Sequence, residues 1–372
     1  MPVKICHITS VHPVYDVRIF YKECCSLAKK YDVWLIAPNV EDHLKDGVHI
    51  AGVHIAKGRF KRLFYQRSIL KKAREIDATI YHLHDPELLP IGLKLKRKGK
   101  IVIFDSHEDV PQQLLTKEWL PKRVAKLVSR CYAFYERHSL KNFNALVSVT
   151  PSIVDRLRTI NSNTYQITNF PIIKTTNDYH EWGNSVCFTG GISVKYMHEN
   201  IINALSKTNV TYRLAGPCDP LSYMKKLQVL PNWNRVQYDG VIPHSECTAY
   251  IQKSSVGLAL LDYLPNVGYK KGSLGVLKIF EYMQAGIPVI ATDFDLWKEI
   301  VEGNDCGICI NPHDINAIAN AINYFIENKE IARQKGQNGR IAVKNKYSWP
   351  TQETILFNIY SSLVERNKKE GE

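Results

Sequence analysis

An acid stands inside an otherwise apolar helical pattern at Glu281, within KKGSLGVLKIFEYMQAGIPVIATD (270–293). Leu277, Phe280 and Gln284/Ala285 set a helical period, and Ile279 and Met283 widen its apolar face. Gly286 and Pro288 end the helix before a short strand over 289–291. Burying an unpaired carboxylate is costly. Glu281 therefore predicts a ligand offering a pair of hydroxyls, or else a surface pair with Lys278. A second group is Gly190-Gly191 with Lys195, after an apolar strand over 185–188 and ahead of a helix over 199–205. Backbone N–H groups at such a turn suit an anion, and Lys195 at the helix start suits a diphosphate; a plain tight turn is the alternative. His107, flanked by acids in Asp105-Ser106-His107-Glu108-Asp109, is placed to bind a polar ligand or move a proton, or is a histidine satisfied within its loop.

Other combinations argue against particular chemistries. There is no GxxxxGK[ST], so a P-loop ATPase is not supported, and no GxGxxG follows the first strand, so a dinucleotide enzyme lacks its fingerprint. His82 and His84 flank Leu83 and are expected on opposite faces of a strand over 76–83, which argues against a shared metal. Cys306 and Cys309 have CxxC spacing without a second pair and read as a turn entering a strand.

These residues need positioning, and the chain supplies it by alternation. In the first half, strands over 3–9, 32–38, 48–55, 76–83, 100–105 and 145–149 alternate with helices over 18–30, 57–74, 87–95 and 121–140. Ile19, Phe20, Leu27 and Ala28 face inward from the first helix. Thr150-Pro151 caps the helix that follows the last strand. Alternation restarts after a polar stretch. Strands fall over 185–188, 210–215, 236–238, 256–261, 289–291 and 307–310, with helices over 199–205, 244–253, 315–327 and 349–366. Such a pattern predicts α/β architecture, parallel sheets covered on both faces. The expected division is a domain over 1–172, a linker over 173–184, a domain over 185–345, and a terminal helical segment over 346–372 crossing back to the first. Doubly wound sheets bind ligands beyond the carboxyl ends of their strands. That places sites at 9–16, including His12 and Asp16, at Asp85, at His107 and Glu108, at Gly190–Lys195 and Gly216, and at 262–281.

The chain has 372 residues, 45% apolar and 23% charged, with a net charge of +13. Residues 1–172 hold 28 Lys and Arg against 16 Asp and Glu; residues 173–372 hold 21 against 20. The positive excess belongs to the first half and predicts an anionic partner. Two basic segments, 57–74 and 116–135, carry aromatic and aliphatic residues in the pattern of an interfacial helix, with a solvated helix face as the alternative. No nucleic-acid motif accompanies the charge. No run reaches the ~18 apolar residues of a spanning helix. The start, MPVKICHITS, lacks a signal-peptide pattern, and nine scattered cysteines suit a reducing compartment. A cytoplasmic protein, peripheral at the inner face of the cell membrane, is expected.

LKIFEYMQAGIPVIATD is very similar to the donor-site segment of the retaining glycosyltransferases of family 4. FTGGISVKY, RLAGP and SWPTQETILFNIYSSL fall in that family's order. HDPELLPIG and KIVIFDSHEDVPQQ resemble a subset that builds bacterial surface polysaccharides. The resemblance covers nearly the whole chain. It implies a GT-B fold, two Rossmann-like domains facing across a cleft. It also implies a nucleotide-sugar donor, a lipid-linked or oligosaccharide acceptor, and no metal or cofactor. Glu281 would bind the ribose hydroxyls. Lys195 would neutralise the diphosphate, with Lys278, Lys271 or Lys270. His107 would lie near the reacting sugar, and Asp16 and Arg18 would face the cleft. The family often has two Glu separated by seven residues; the first is replaced here by Ser273. That leaves Ser273, or the N–H groups of Leu274 and Gly275, to take over. His12-Pro13-Val14-Tyr15 stands where paired glycines are common. The mechanism implied is a same-face, ion-pair-like displacement. A sugar-nucleotide epimerase on the same fold, or a non-catalytic nucleotide-sugar-binding protein, are the alternatives.

Overall fold

A computed structural model describes residues 2–54, 61–115, 120–173, 182–243 and 245–371. The chain packs as two units: residues up to Asn169 together with the segment from Trp349 onward, and Phe170–Ser348.

The first unit is built on an eight-stranded sheet. Its strands are β1 (Lys4–Ile8), β2 (Asp32–Pro38), β3 (His43–Lys45), β4 (Val48–Val53), β5 (Ile80–Leu83), β6 (Ile101–Ser106), β7 (Ala145–Ser148) and β8 (Thr164–Gln166), in the order β3-β4-β2-β1-β5-β6-β7-β8. All pairings are parallel except β3 with β4. The core strands are apolar along most of their length because both faces are covered. One face packs Ile69, Leu70, Leu89, Ile91 and Leu95 from the helices Lys61–Ile76 and Leu89–Lys96. The other packs Ile19, Phe20 and Leu27 with Trp349, Leu356, Ile359 and Leu363 of the helix Trp349–Gly371.

The second unit holds β9 (Ser185–Thr189), β10 (Thr211–Ala215), β11 (Val236–Tyr238), β12 (Val256–Ala259), β13 (Val289–Thr292) and β14 (Gly307–Ile310), ordered β11-β10-β9-β12-β13-β14 and parallel throughout. In both sheets the order reverses at the unit's first strand, between β1 and β5 and between β9 and β12. Backbone loops diverge there and leave a crevice, the place where doubly wound sheets bind ligands.

Several elements differ from expectation. The helix expected over 18–30 begins as a π-helix, Val17–Cys24, and stops after a short α-turn at Leu27. Helices at Leu221–Gln228, Asp295–Val301 and Lys329–Asn345 were not anticipated. The last buries mainly small residues, Ala332, Gly336, Gly339 and Ala342, and so lacks a bulky apolar stripe. The start of the basic 57–74 segment, residues 116–119, most of the expected linker and His244 lie outside the described residues.

Candidate functional site

In the second unit, the turn after β9 and the turn after β10 run side by side. Gly190 N–H donates to Ala215 O at 2.9 Å, and Ile192 N–H to Pro217 O at 2.8 Å. A Cβ on Gly216, whose φ is +139°, would come within 2.0 Å of the Gly190 carbonyl oxygen, so this approach requires glycine. Gly190, at φ +120°, has the Lys278 ammonium against its Cα: an added Cβ would lie 2.8 Å from Nζ. Gly190's amide is thus committed to Ala215, contrary to the expectation that both glycine amides are open to an anion. The cationic groups beside this turn are side chains.

Two lysines converge on one aromatic ring. Lys278 Nζ is 4.3 Å and Lys195 Nζ 5.1 Å from the Tyr196 centroid, and Lys278 is also 4.8 Å from that of Phe188. Burial, reinforced by the charge of Lys195 and opposed by Glu281, lowers the Lys278 pKa to about 8. A partly buried cation pushed towards neutrality beside a second cation is a site short of negative charge. Lys195 does not start the α-helix as expected. It sits in a 3-10 turn, Val194–Tyr196, ahead of left-handed Met197, and the helix begins at His198. Its place is fixed through its carbonyl, which accepts from Asp262 N–H at 2.9 Å. Thr189 Oγ1 and Ser193 Oγ, both buried, have no hydrogen-bond partner among the described residues.

Glu281 lies one turn beyond Lys278 on the helix Lys278–Ala285, half-buried, between buried Phe280 and Tyr282. Gly286, at φ +81°, caps that helix, its N–H reaching the carbonyls of Met283 and Tyr282. In the loop before it, Ser273 Oγ accepts from Gly275 N–H at 3.0 Å, and Ser273 O accepts from Trp297 Nε1 at 2.8 Å. Ser273 and the Gly275 amide thus partner each other, while Leu274 is buried. Lys271 is exposed, and Lys270 is engaged by Asp293 at 2.9 Å and Tyr263 at 3.0 Å.

The first unit's crevice gathers the other candidates. Asp85 is buried after β5 and accepts from Thr9 Oγ1 at 2.8 Å and Ser10 N–H at 2.6 Å. His12 lies 3.4 Å from Asp85 and 3.7 Å from Asp16. Its pKa is raised, chiefly by its hydrogen bond to Asp16. Asp16 caps the π-helix, accepting from the N–H groups of Arg18 and Ile19. Although burial opposes it, His12 and those N–H groups hold Asp16 down to about 2. His107 lies beside His12, ring centres 5.0 Å apart and tilted by 31°, and its Nε2 is 3.4 Å from Asp105. Burial outweighs Asp105 and lowers the His107 pKa to about 4, so the ring is neutral. Glu108 is exposed and accepts from Gln113.

Two expectations are corrected here. Arg18 does not face an opening: it is 3% exposed and donates to Asp105 at 2.7 Å and to Ile167 O at 2.9 Å. Its role is to neutralise a buried carboxylate. His82 and His84 point the same way, with ring centres 4.6 Å apart, because residues i and i+2 of an extended chain share a face. Sequence reasoning also missed Tyr196, whose signal was an aromatic beside a lysine just after a glycine pair. His7 and Glu23 were missed too, and in each the only signal was a polar residue within an apolar run.

Two family models match the chain: Glycosyltransferase Family 4 over residues 18–169, and Glycosyl transferases group 1 over residues 177–342. Between them the two models span most of the chain, which is a glycosyltransferase whose two parallel-sheet domains have the GT-B fold. It is 23% identical over 139 residues to the phosphatidyl-myo-inositol mannosyltransferase of Mycobacterium leprae, a match spanning 36% of each chain. Sucrose-phosphate synthase from Thermosynechococcus elongatus is similar in structure at a TM-score of 0.77 and 16% identity, over 98% of this chain and 100% of that one. Anabaena HepE, solved with UDP-glucose, gives a TM-score of 0.72 at 15% identity, over 96% and 99%.

Proposed function

We propose that this chain transfers a hexosyl group, with retention, from a nucleoside-diphosphate sugar to a lipid-linked or oligosaccharide acceptor in surface-polysaccharide synthesis. The observation that carries the reading is the pair Lys195 and Lys278, converging on Tyr196 at the β9/β12 crevice with Glu281 one helical turn away. Two cations suit a diphosphate, and a half-buried carboxylate suits a ribose diol. As the bond to the sugar breaks, negative charge grows on the diphosphate. Fixed lysines and the amino end of the helix Lys278–Ala285 stabilise that charge without rearranging. His107, being neutral, serves as a hydrogen-bonding group to the reacting sugar rather than as an acid. No carboxylate among the candidates is set as a nucleophile, which favours departure and attack on the same face. HepE, a structural relative, has been solved with UDP-glucose, which supports a nucleotide-sugar donor.

The acceptor reading rests on the helix Lys122–Leu140. It exposes Val124, Leu127 at 63% and Phe134 at 77%, among Lys122, Arg123, Lys126 and Arg130. An outward apolar stripe flanked by basic residues suits an anionic lipid surface. No helix among the described residues is long and apolar enough to cross a membrane. The M. leprae relative, by its name, joins mannosyl transfer to a phosphatidyl-inositol.

The test is transfer from a panel of nucleotide-sugars to lipid-linked glycans, with Glu281→Ala and Lys195→Ala compared with the wild type. Each variant is expected to lose about 100-fold or more in turnover while remaining folded. Near-normal rates in either would overturn the site. An isomerised sugar formed from donor alone would replace transfer with epimerisation.

A further inference from the structure

The first unit contains a closed cluster of metal-ligating side chains that the transfer chemistry does not use. His7 on β1, Glu23 on the π-helix, His82 on β5 and His84 just after it are each 0 to 2% exposed. The sheet dictates three of these positions. His7 and His82 are direct partners in the β1/β5 register, and His84 shares the face of His82. The π-helix, wider than an α-helix, brings Glu23 over them.

Their ligand atoms all lie within 4.8 Å of one another, close enough to share one ion. Glu23 Oε2 lies 3.8 Å from His7 Nδ1, 3.9 Å from His82 Nδ1 and 3.9 Å from His84 Nε2. His7 Nδ1 and His84 Nε2 are 2.9 Å apart, a hydrogen bond that a shared ion would replace. The distances to Glu23 are too long for hydrogen bonds. They bracket, with the 2.9 Å edge, the ~3.3–3.6 Å ligand separations of a tetrahedral ion held at about 2.0–2.2 Å. Neither Glu23 oxygen has an N–H or hydroxyl donor in hydrogen-bonding geometry among the described residues, although both are buried, and the carboxyl lies within hydrogen-bonding reach of Asp105. Arg18 Nε faces the other oxygen, Oε1, at 3.2 Å, and itself donates to Asp105. One guanidinium thus stands between two buried carboxylates, and Oε2 is turned towards three imidazoles.

The outer groups also fit. Metal-bound histidines usually engage a polar group through their second nitrogen, which fixes tautomer and ring orientation. His7 Nε2 is 3.2 Å from Tyr360 Oη, and His84 Nδ1 is 3.6 Å from Asp105 Oδ2 and 3.3 Å from His107 Nε2. Tyr360 Oη also lies 2.8 Å from His82 Nδ1, so it yields that nitrogen when an ion binds.

We propose that His7, Glu23, His82 and His84 form a structural site for a divalent transition ion, zinc by its three-imidazole, one-carboxylate donor set. The ion clamps β1, β5 and the π-helix together and, through His84, orients Asp105 and His107. It takes no part in the transfer step.

The test uses the full chain, made in zinc-replete medium, desalted through a weak chelator and assayed by elemental analysis. About one zinc per chain is expected. Cobalt replacement should give the intense visible spectrum of a tetrahedral site. His82→Leu and Glu23→Gln should lose both, while Cys306→Ser/Cys309→Ser keeps both. Tyr360→Phe, which removes only a hydroxyl, should weaken zinc binding by about 10–100-fold in competition with a chromophoric chelator. Should the ligand variants fail to fold, wild-type stoichiometry, the cobalt spectrum and Tyr360→Phe still decide the matter. A wild-type chain that takes up no zinc on expression or reconstitution, or a folded His82→Leu protein that retains it, overturns the proposal.

Discussion

Replacing Lys278 with methionine should make the protein more stable and less able to hold its donor. The ammonium lies among Gly190, Phe188 and Tyr196, with Lys195 nearby, and burial lowers its pKa from 10.5 to about 8. The gap corresponds to about 3 kcal/mol by which the fold disfavours the charged form. Loss of the cation–π contacts returns about 1 kcal/mol, leaving a gain near ~2 kcal/mol for Lys278→Met at neutral pH. For a unit of this size that is about 4–8 °C in Tm. The sign follows from proton linkage. Between pH 8 and 10.5 the unfolded lysine holds a proton that the folded one has shed, so wild-type stability from this group rises with pH across that window. The advantage of the methionine variant should therefore shrink as pH climbs from 8 towards 10.5. Binding should change in the opposite sense. Losing a charge-assisted contact to a phosphate costs about 1.5–3 kcal/mol, or roughly 10–100-fold in UDP affinity. Differential scanning calorimetry from pH 7 to 10 with UDP titration calorimetry reads both effects. A variant that binds UDP like the wild type, or that melts lower at pH 7, would refute the account of Lys278.

Four further outcomes are expected. Glu281→Ala and Lys195→Ala should leave circular dichroism and Tm near wild type while abolishing most turnover, which separates ligand contact from folding. Gly216→Ala should destabilise the second unit by ~2 kcal/mol or more, since it combines a left-handed φ with a 2.0 Å approach to Gly190 O; Gly191→Ala, whose Cβ meets nothing within 4 Å, should not shift the melt. Arg18→Leu should cost ~3–5 kcal/mol in urea denaturation, because it removes the guanidinium that neutralises buried Asp105. Binding to phosphatidylglycerol vesicles should fall as salt rises and fall further in Phe134→Asp; salt-insensitive binding would point to an ordinary solvated helix.

Alternation of apolar runs with amphipathic stretches was enough to read two doubly wound sheets, because that pattern is local. The same is true of the Gly286 stop, where one residue meets a left-handed φ. The polar interior of the first unit was not legible. His7 meets His82 only through strand register, and Tyr360 reaches them from 278 residues away in sequence. Lys22 and Glu23 lie 1% and 0% exposed although a helical projection treats charged residues as surface. The π-winding that turns them inward has no signature in a 3.6-residue period. The helix Lys329–Asn345 was overlooked for a related reason: Gly336 packs within 2.0 Å of the Gly286 carbonyl if a Cβ is added, a fit that depends on small size rather than hydrophobicity. In the second unit, Lys195 and Glu281 stand out in the sequence because glycine turns mark them. Tyr196, the ring that brings the two lysines together, does not.

The first unit draws its last pieces from the stretch of sequence that follows the second. Trp349 Nε1 donates to Ser26 Oγ at 2.8 Å, and Leu356, Ile359 and Leu363 fill the layer over β1 and β5. As the chain emerges from the ribosome, residues up to Asn169 therefore wait with one sheet face only partly covered, by Ile19, Phe20 and Leu27, while Phe170–Ser348, contiguous in sequence, closes its own core. The order of maturation runs against the order of synthesis, and a chain stalled before Leu363 presents a finished second unit attached to an open first one, the form on which a chaperone would act.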